Sequence, residues 1–378
     1  MHDLTISNFG PIQSGKLEFR DLTVLVGPQA SGKSIALQLF KLVLDAQQIK
    51  NELRRYGLDW SSKLEPFLDI YFGEGMRSLW TPGKTDLQWK GNAINLPALA
   101  KPRESQRQES LFFIPAQRVL TLRDGWPRPF TDFLPGDPFV VREFSERLRT
   151  LMESELGGDG SLFPQPRRLK GAIRKMLVTQ IFPGYELRID RSRVQKRLVL
   201  KGENDQRLPY MVWSAGQREF VPLLLGLYWL MPRAGQGKLP GIQWVVLEEL
   251  EMGLHPRAIN AVVLLVFELL RRGYRVCLST HSPQVLDALW AIKELREHGA
   301  APEKVRAVFG YPSDPNLQGL EESALKKKIK VYYFERGGTV RDISDLSVDG
   351  ASDWGGLTEF SARANQTVAD VVANSELQ

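Results

Sequence analysis

Cysteine is nearly absent from this chain: Cys277 is the single one among 378 residues. One thiol cannot close an internal disulfide, so a disulfide-stapled scaffold is excluded and a reducing compartment is expected. Cys277 lies in the apolar run Arg275-Val276-Cys277-Leu278, which reads as core rather than as a reactive thiol. No stretch approaches the roughly 20 consecutive apolar residues that cross a bilayer, so no membrane contact is expected. The start, Met1-His2-Asp3-Leu4, lacks a basic segment followed by an apolar one, so no signal peptide and a cytoplasmic location are expected. Sustained heptads, internal repeats and low-complexity tracts are missing as well, which removes coiled-coil arms and solenoids from consideration.

What is present is ordinary for a soluble globular protein, with 43% hydrophobic and 25% charged residues. The length suits one large α/β domain or two smaller ones. The net charge of +6 and the pI near 9.3 permit contact with DNA without demanding it. The basic clusters Lys101 to Arg107, Arg167 to Lys175 and Lys326 to Lys330 read as solvated faces, because none is interleaved with aromatic residues.

Patterning sketches the elements. Leu4-Thr5-Ile6 and Leu17-Glu18-Phe19 suggest an edge hairpin, and Leu22 to Val26 a strand buried on both faces. Ile35, Leu39, Leu42 and Val43 fall on one helical face, predicting a helix over 34–53. The stretch from about 54 to 105 is mixed and reads as an insertion of short helices and a small sheet. Leu111 to Ile114 is a further buried strand. Helices are predicted over 139–155, 167–181, 220–230 and 258–271, strands over 244–247 and 275–279, and hairpins over 187–200 and 331–343.

Two stretches carry the chemistry. Gly27-Pro28-Gln29-Ala30-Ser31-Gly32-Lys33-Ser34 sits between a predicted strand and a predicted helix, the context a phosphate-binding loop requires. Its glycines let the backbone wrap anionic oxygens, and the helix N-terminus turns partial positive charge toward them. Lys33 would reach β- and γ-phosphates, and the Ser34 hydroxyl would ligate Mg²⁺. Val245 to Glu249 reads as a buried strand ending in two carboxylates. Glu248 could hold the magnesium shell, and Glu249 could orient and deprotonate the attacking water. The bland alternative is a pair of acids at a helix start.

Three further segments are candidates. Ser214-Ala215-Gly216-Gln217-Arg218 precedes an apolar helix; it either caps that helix or presents the helix N-terminus to the γ-phosphate held by a second subunit. His281, after the strand over 275–279, would face the same crevice as the carboxylates if the intervening helix makes a βαβ unit. Gln117, after the strand over 111–114, could share the magnesium shell, with a plain strand-ending turn as the alternative. His255 reads as a subunit contact or a helix start.

Taken together, these residues resemble the ABC-type ATPase heads of the SMC, RecF and OLD group. Leu4 to Ile12 is similar to that group's opening strand. Gly27 to Ser34 corresponds to Walker A, Gln117 to the Q-loop, Ser214 to Arg218 to the signature, Val245 to Glu248 to Walker B with Glu249 as catalytic glutamate, Glu251 to Pro256 to the D-loop region, and His281 to the switch histidine. Leu250 stands where many relatives have proline, and Glu248 where aspartate is commoner. The stretch from Gln117 to Ser214 is too short for an SMC arm. No acidic cluster of the Toprim nuclease kind follows His281. The chain is similar to the short ATPase subunits of bacterial anti-phage systems such as Septu, PARIS and retron-associated modules.

The resemblance implies an α/β fold: an ABC-type P-loop head with a mixed sheet core, flanking helices, a helical lobe and a small antiparallel sheet. The expected division is 1–120 for the first half of the head, 121–210 for a helical lobe and hairpin, 211–345 for the second half and 346–378 for a tail. The expected activity is hydrolysis of ATP with Mg²⁺ by a head-to-tail homodimer or higher homo-oligomer that regulates a separate effector protein in phage defence. Two alternatives remain open: a RecF-like DNA-binding repair or replication ATPase, and a scaffold that nucleotide orders without turnover.

Overall fold

The computed structural model describes residues 2–101, 108–154, 156, 161–165, 168–191, 195–231, 237–346 and 367–368. Strands β1 (Asp3–Phe9) and β2 (Ile12–Glu18) form an antiparallel hairpin, with Leu4 and Ile6 buried and their neighbours half-exposed. Strand β3 (Leu22–Val26) is buried throughout and leads through the glycine loop into α1 (Lys33–Arg55). Next come α2 (Leu64–Phe72), β4 (Asp86–Trp89), β5 (Asn92–Ala93) and α3 (Leu96–Ala100). Because β4 pairs with β1, this segment is hydrogen-bonded into the N-terminal sheet, a tie no local pattern announces.

Strand β6 (Leu111–Ile114) is followed by a ribbon of β7 (Leu122–Arg123) and β8 (Trp126–Pro127), then by α4 (Phe139–Ser154). Strand β9 (Ser161–Phe163), helix α5 (Gly171–Ile181) and strands β10 (Tyr185–Asp190), β11 (Arg197–Gly202) and β12 (Arg207–Pro209) come next. These four strands make a small antiparallel sheet. Helix α5 starts later than its periodicity predicts, because Lys170 before it is extended; Arg167 lies outside the described residues.

The last part contains α6 (Ala215–Leu230), β13 (Trp244–Glu248), α7 (Pro256–Arg271), β14 (Arg275–Ser279), α8 (Pro283–Glu297), α9 (Glu303–Phe309), α10 (Gln318–Lys326), β15 (Ile329–Phe334) and β16 (Val340–Asp342). Helix α6 begins five residues before the predicted Phe220, because Ser214 and Gln217 form a reciprocal capping box. Most of the expected tail, 347–366 and 369–378, lies outside the described residues.

The central sheet runs β16-β15-β3-β14-β13-β6, parallel except for the edge strand β16. Strands β3, β6, β13 and β14 are buried on both faces because each face has its own core. Val24, Ile114, Val245, Leu247 and Leu278 pack with α5, α6, α7 and α8 on one side. Leu25, Phe113, Trp244, Val246 and Cys277 pack with α1 and the N-terminal hairpin on the other. This is the α/β class expected from the sequence: a mixed sheet core, flanking helices and a small antiparallel sheet.

A buried ionic cluster pins α1 to this sheet. Lys41 Nζ donates to Glu109 at 3.1 Å and to the Leu111 carbonyl at 2.8 Å, and lies 3.0 Å from Glu143. Asp45 accepts from the Ser110 and Leu111 amides and sits at a non-helical kink in α1.

Candidate nucleotide site

Register alone brings four strand ends to one edge. Glu248 of β13 lies opposite Ser279 of β14, Ser279 opposite Leu25 of β3, and Leu247 opposite Ile114 of β6. The segments that follow, Gly27 to Ser34, Pro115 to Arg118, Glu249 to Leu254 and Thr280 to Ser282, therefore share the carboxyl edge of the sheet. In an open α/β sheet that is where ligands bind.

The glycine loop is built around two demands. Gly27 has φ 137°, and a Cβ there would lie 2.4 Å from the Phe334 carbonyl oxygen, so the neighbouring strand leaves no room for a side chain. Ala30 and Gly32 are also left-handed, at φ 59° and 100°. Gly32 caps α1 without any side-chain hydrogen bond, so the first amides of the helix are not spent on a cap. Lys33 is buried and donates from Nζ to the Gly27 and Pro28 carbonyls at 2.9 and 2.7 Å. The Ser31 hydroxyl also donates to Pro28. Burial lowers the Lys33 pKa to about 8, against the pull of Glu249, Glu251 and Glu248. Gln29 and Ala30 are exposed, while Pro28 and Ser34 are half-buried.

Glu248 is 1% exposed. One carboxylate oxygen accepts the Ala116 amide at 3.0 Å, and the other, Oε1, is buried without a partner. Burial raises its pKa, opposed by the Ser34 hydroxyl and the Ala116 N–H. An orphaned buried carboxylate oxygen beside a hydroxyl fits a hard divalent cation such as Mg²⁺. Among the described residues no three His, Cys, Asp or Glu cluster as a self-sufficient metal site, so such an ion would share its shell with a ligand.

Glu249 stands at φ 45°, unusual for a non-glycine residue, and its amide donates to the Ser279 carbonyl at 2.9 Å. Its Oε1 lies 3.7 Å from His281 Nε2. Burial and then Lys33 lower the His281 pKa, so the imidazole is biased toward its neutral form. Glu251 holds this corner: its Oε1 accepts from Thr280 Oγ1 at 2.8 Å and from the His281 amide at 2.6 Å.

Gln117 is exposed, in the turn whose Ala116 amide binds Glu248. Ser214 is exposed at the start of α6, where it accepts the Gln217 amide while Gln217 Oε1 accepts the Ser214 amide. The capping alternative is thus what these side chains do within one chain. Gln217 also donates to the Ile181 carbonyl, which leaves its amide committed internally. Gly216 has a packing reason: a Cβ would meet the Gly253 carbonyl at 2.7 Å. His255 caps α7 and is exposed.

Sequence reasoning passed over Arg118 and Glu219. Arg118 is 1% exposed and donates to the carbonyls of Glu248, Glu249 and Glu219 at 2.8, 3.0 and 3.1 Å. Its position one residue after Gln117 was the available signal, but no local pattern marks an arginine as buried.

A glycine loop between a buried strand and a helix, with two carboxylates ending the parallel strand two positions along the sheet, makes this an α/β protein with a candidate phosphate-binding loop at the carboxyl edge of its sheet. Residues 138–287 match the family described as "AAA domain, putative AbiEii toxin, Type IV TA system". That span holds Ser214, Glu248, Glu249 and His281, whereas the glycine loop precedes it. No curated protein matches the chain. Among solved structures it is similar at 11% identity to an SMC head bound to the C-terminal winged-helix domain of ScpA, with TM-score 0.45 and coverage of 92% of this chain and 98% of that one. A RecF structure of the RecFOR pathway matches at 11% identity and TM-score 0.38, covering 90% and 97%. The SMC head domain from Thermotoga maritima matches at 12% and TM-score 0.33, covering 75% and 90%. Among the described residues no helix is long and apolar enough to cross a membrane.

Proposed function

We propose that this chain is an ABC-type ATPase that binds ATP with Mg²⁺, pairs head to tail with a second copy around two nucleotides, and through hydrolysis switches a separate effector protein in phage defence. The observation that carries the reading is convergence: Lys33, Glu248, Glu249 and His281 lie at one edge of three adjacent parallel strands, with Glu249 3.7 Å from His281. Lys33 exchanges its carbonyl partners for β- and γ-phosphate oxygens, and the α1 amides cradle the phosphates. Ser34 and Glu248, with Gln117 alongside, would hold Mg²⁺, which when bound neutralises charge on the phosphates. Glu249 orients the attacking water and takes its proton, while neutral His281 contacts the γ-phosphate. The exposed Ser214 and the half-buried Gly216 of a second copy bring the α6 N-terminus to that phosphate. The matched family's printed name, with its putative toxin and type IV TA system, favours an effector-linked role over a general repair role.

Nucleotide binding and turnover of two variants test this. Lys33→Ala should lose ATP binding. Glu249→Gln should keep it, dimerise more tightly with ATP and turn over about 100-fold more slowly, the scale of losing a general base. Rapid turnover by Glu249→Gln would remove Glu249 from its role. Salt-dependent DNA binding by the chain alone would move the reading to a RecF-like ATPase.

A further inference from the structure

Arg118 lies outside every motif of the proposed site, yet it is the buried cation on which three segments converge. Its guanidinium donates to the carbonyls of Glu248 and Glu249 at 2.8 and 3.0 Å, and so grips the backbone that carries both candidate carboxylates. Its Nε donates to the Glu219 carbonyl of α6 at 3.1 Å, with the Glu219 carboxylate 3.8 Å away. The turn that supplies Arg118 also supplies the Ala116 amide to Glu248. A second contact joins the same partners, since Gly216 of α6 abuts the Gly253 carbonyl beyond Glu249.

The grip falls on a residue with an unusual backbone conformation. Glu249 occupies the left-handed region, which is unfavourable for a non-glycine residue and persists only where its surroundings over-determine it. Its amide is held by the Ser279 carbonyl, and its carbonyl by Arg118 and by the Met252 amide. Arg118 is therefore the side chain that fixes the Glu249 carbonyl, and its other end rests on α6, five residues in from Ser214.

We infer that Arg118 is a positioning residue that couples the start of α6 to the Glu249 turn, so that a phosphate met by Ser214 in one site sets the carboxylates of the other site on the same chain. The inference rests on the proposed two-site reading. A displacement of α6 reaches Glu249 through a planar guanidinium with fixed donor directions, which the single ammonium of lysine cannot reproduce. Arg118 is 1% exposed and its guanidinium donors are committed to backbone carbonyls, so its loss should act on turnover rather than on capture of nucleotide.

The test compares the full chain with Arg118→Lys and Glu219→Gln, using ATP as the probe. Arg118→Lys should keep its thermal unfolding midpoint and ATP affinity near wild type, while kcat falls by about tenfold or more with KM little changed. Glu219→Gln, which keeps the backbone carbonyl and the side-chain shape, should lose a smaller part of kcat and flatten any sigmoidal dependence of rate on ATP. Unchanged kcat in Arg118→Lys beside an active wild type overturns this inference alone. Parallel losses of unfolding midpoint, affinity and kcat in both variants overturn it too, because they mark a purely structural contact. A wild-type chain without turnover overturns the parent reading and this inference with it.

Discussion

Lys33 is a residue whose charge the site bends toward neutral pH. Burial lowers its pKa from the usual lysine range to about 8, while phosphates would favour its charged form. Below pH 8 the proton is already present, so this group adds no pH dependence to ATP binding. Above pH 8 the free protein must take up a proton to bind. ATP affinity should therefore weaken by up to about tenfold per pH unit, with proton uptake visible by calorimetry in buffers of different ionisation heat. Its effect on folding has the opposite sign. A folded-state pKa below the unfolded one costs stability at pH below about 8, and that cost is relieved as pH rises toward the unfolded value. The residues of this loop were legible because glycine, lysine and serine at fixed spacing have a chemical reason to be together. Arg118 was not, because its partners Glu248 and Glu249 stand 130 and 131 residues away. Nor was the left-handed φ of Glu249, which the surrounding turn imposes.

At the scale of elements, α1 is the part whose reading was nearly right yet missed its purpose. Apolar spacing over 34–53 predicted the helix, which runs Lys33–Arg55. The kink at Asp45 was invisible, because its cause is the Ser110 amide 65 residues away. At that kink the helix is fastened to the start of β6 by Lys41 and its carboxylates. Burial works against a charged Lys41, but Glu143, Glu109 and Asp45 outweigh it and hold its pKa above the lysine range. Glu143, buried beside it, is pushed up to about 7. Lys41→Met removes the cation and leaves the carboxylates facing one another. Chemical denaturation should show a loss of about 3–5 kcal/mol, the usual cost of breaking a buried pair from one side. The loss should grow as pH rises through 7, where Glu143 must give up its proton without a counter-charge. An equal loss at pH 5 and pH 8 would contradict this account.

For the whole molecule, the fold class was legible and the joinery was not. Apolar runs marked the parallel strands, since a strand covered on both faces needs no alternation. The pairing of β4 with β1, and the position of β3 between β14 and β15, arise from contacts distant in sequence. The two halves of the proposed composite site can be damaged on separate chains. Lys33→Ala has a broken loop and an intact α6 tip, while Ser214→Arg has the reverse. Each should be inactive alone, yet a mixture should regain turnover through heterodimers that hold one undamaged site. A mixture as silent as its components would indicate that each chain works by itself. Cys277 makes the geometry of such a pair directly accessible. It is wholly buried in β14, with burial holding its thiol far above the ordinary range. Met211, three residues before Ser214, is 68% exposed. A Met211→Cys chain would carry one reactive sulfur against a silent background, so maleimide dyes and bifunctional cross-linkers would report how two copies approach each other during a catalytic cycle.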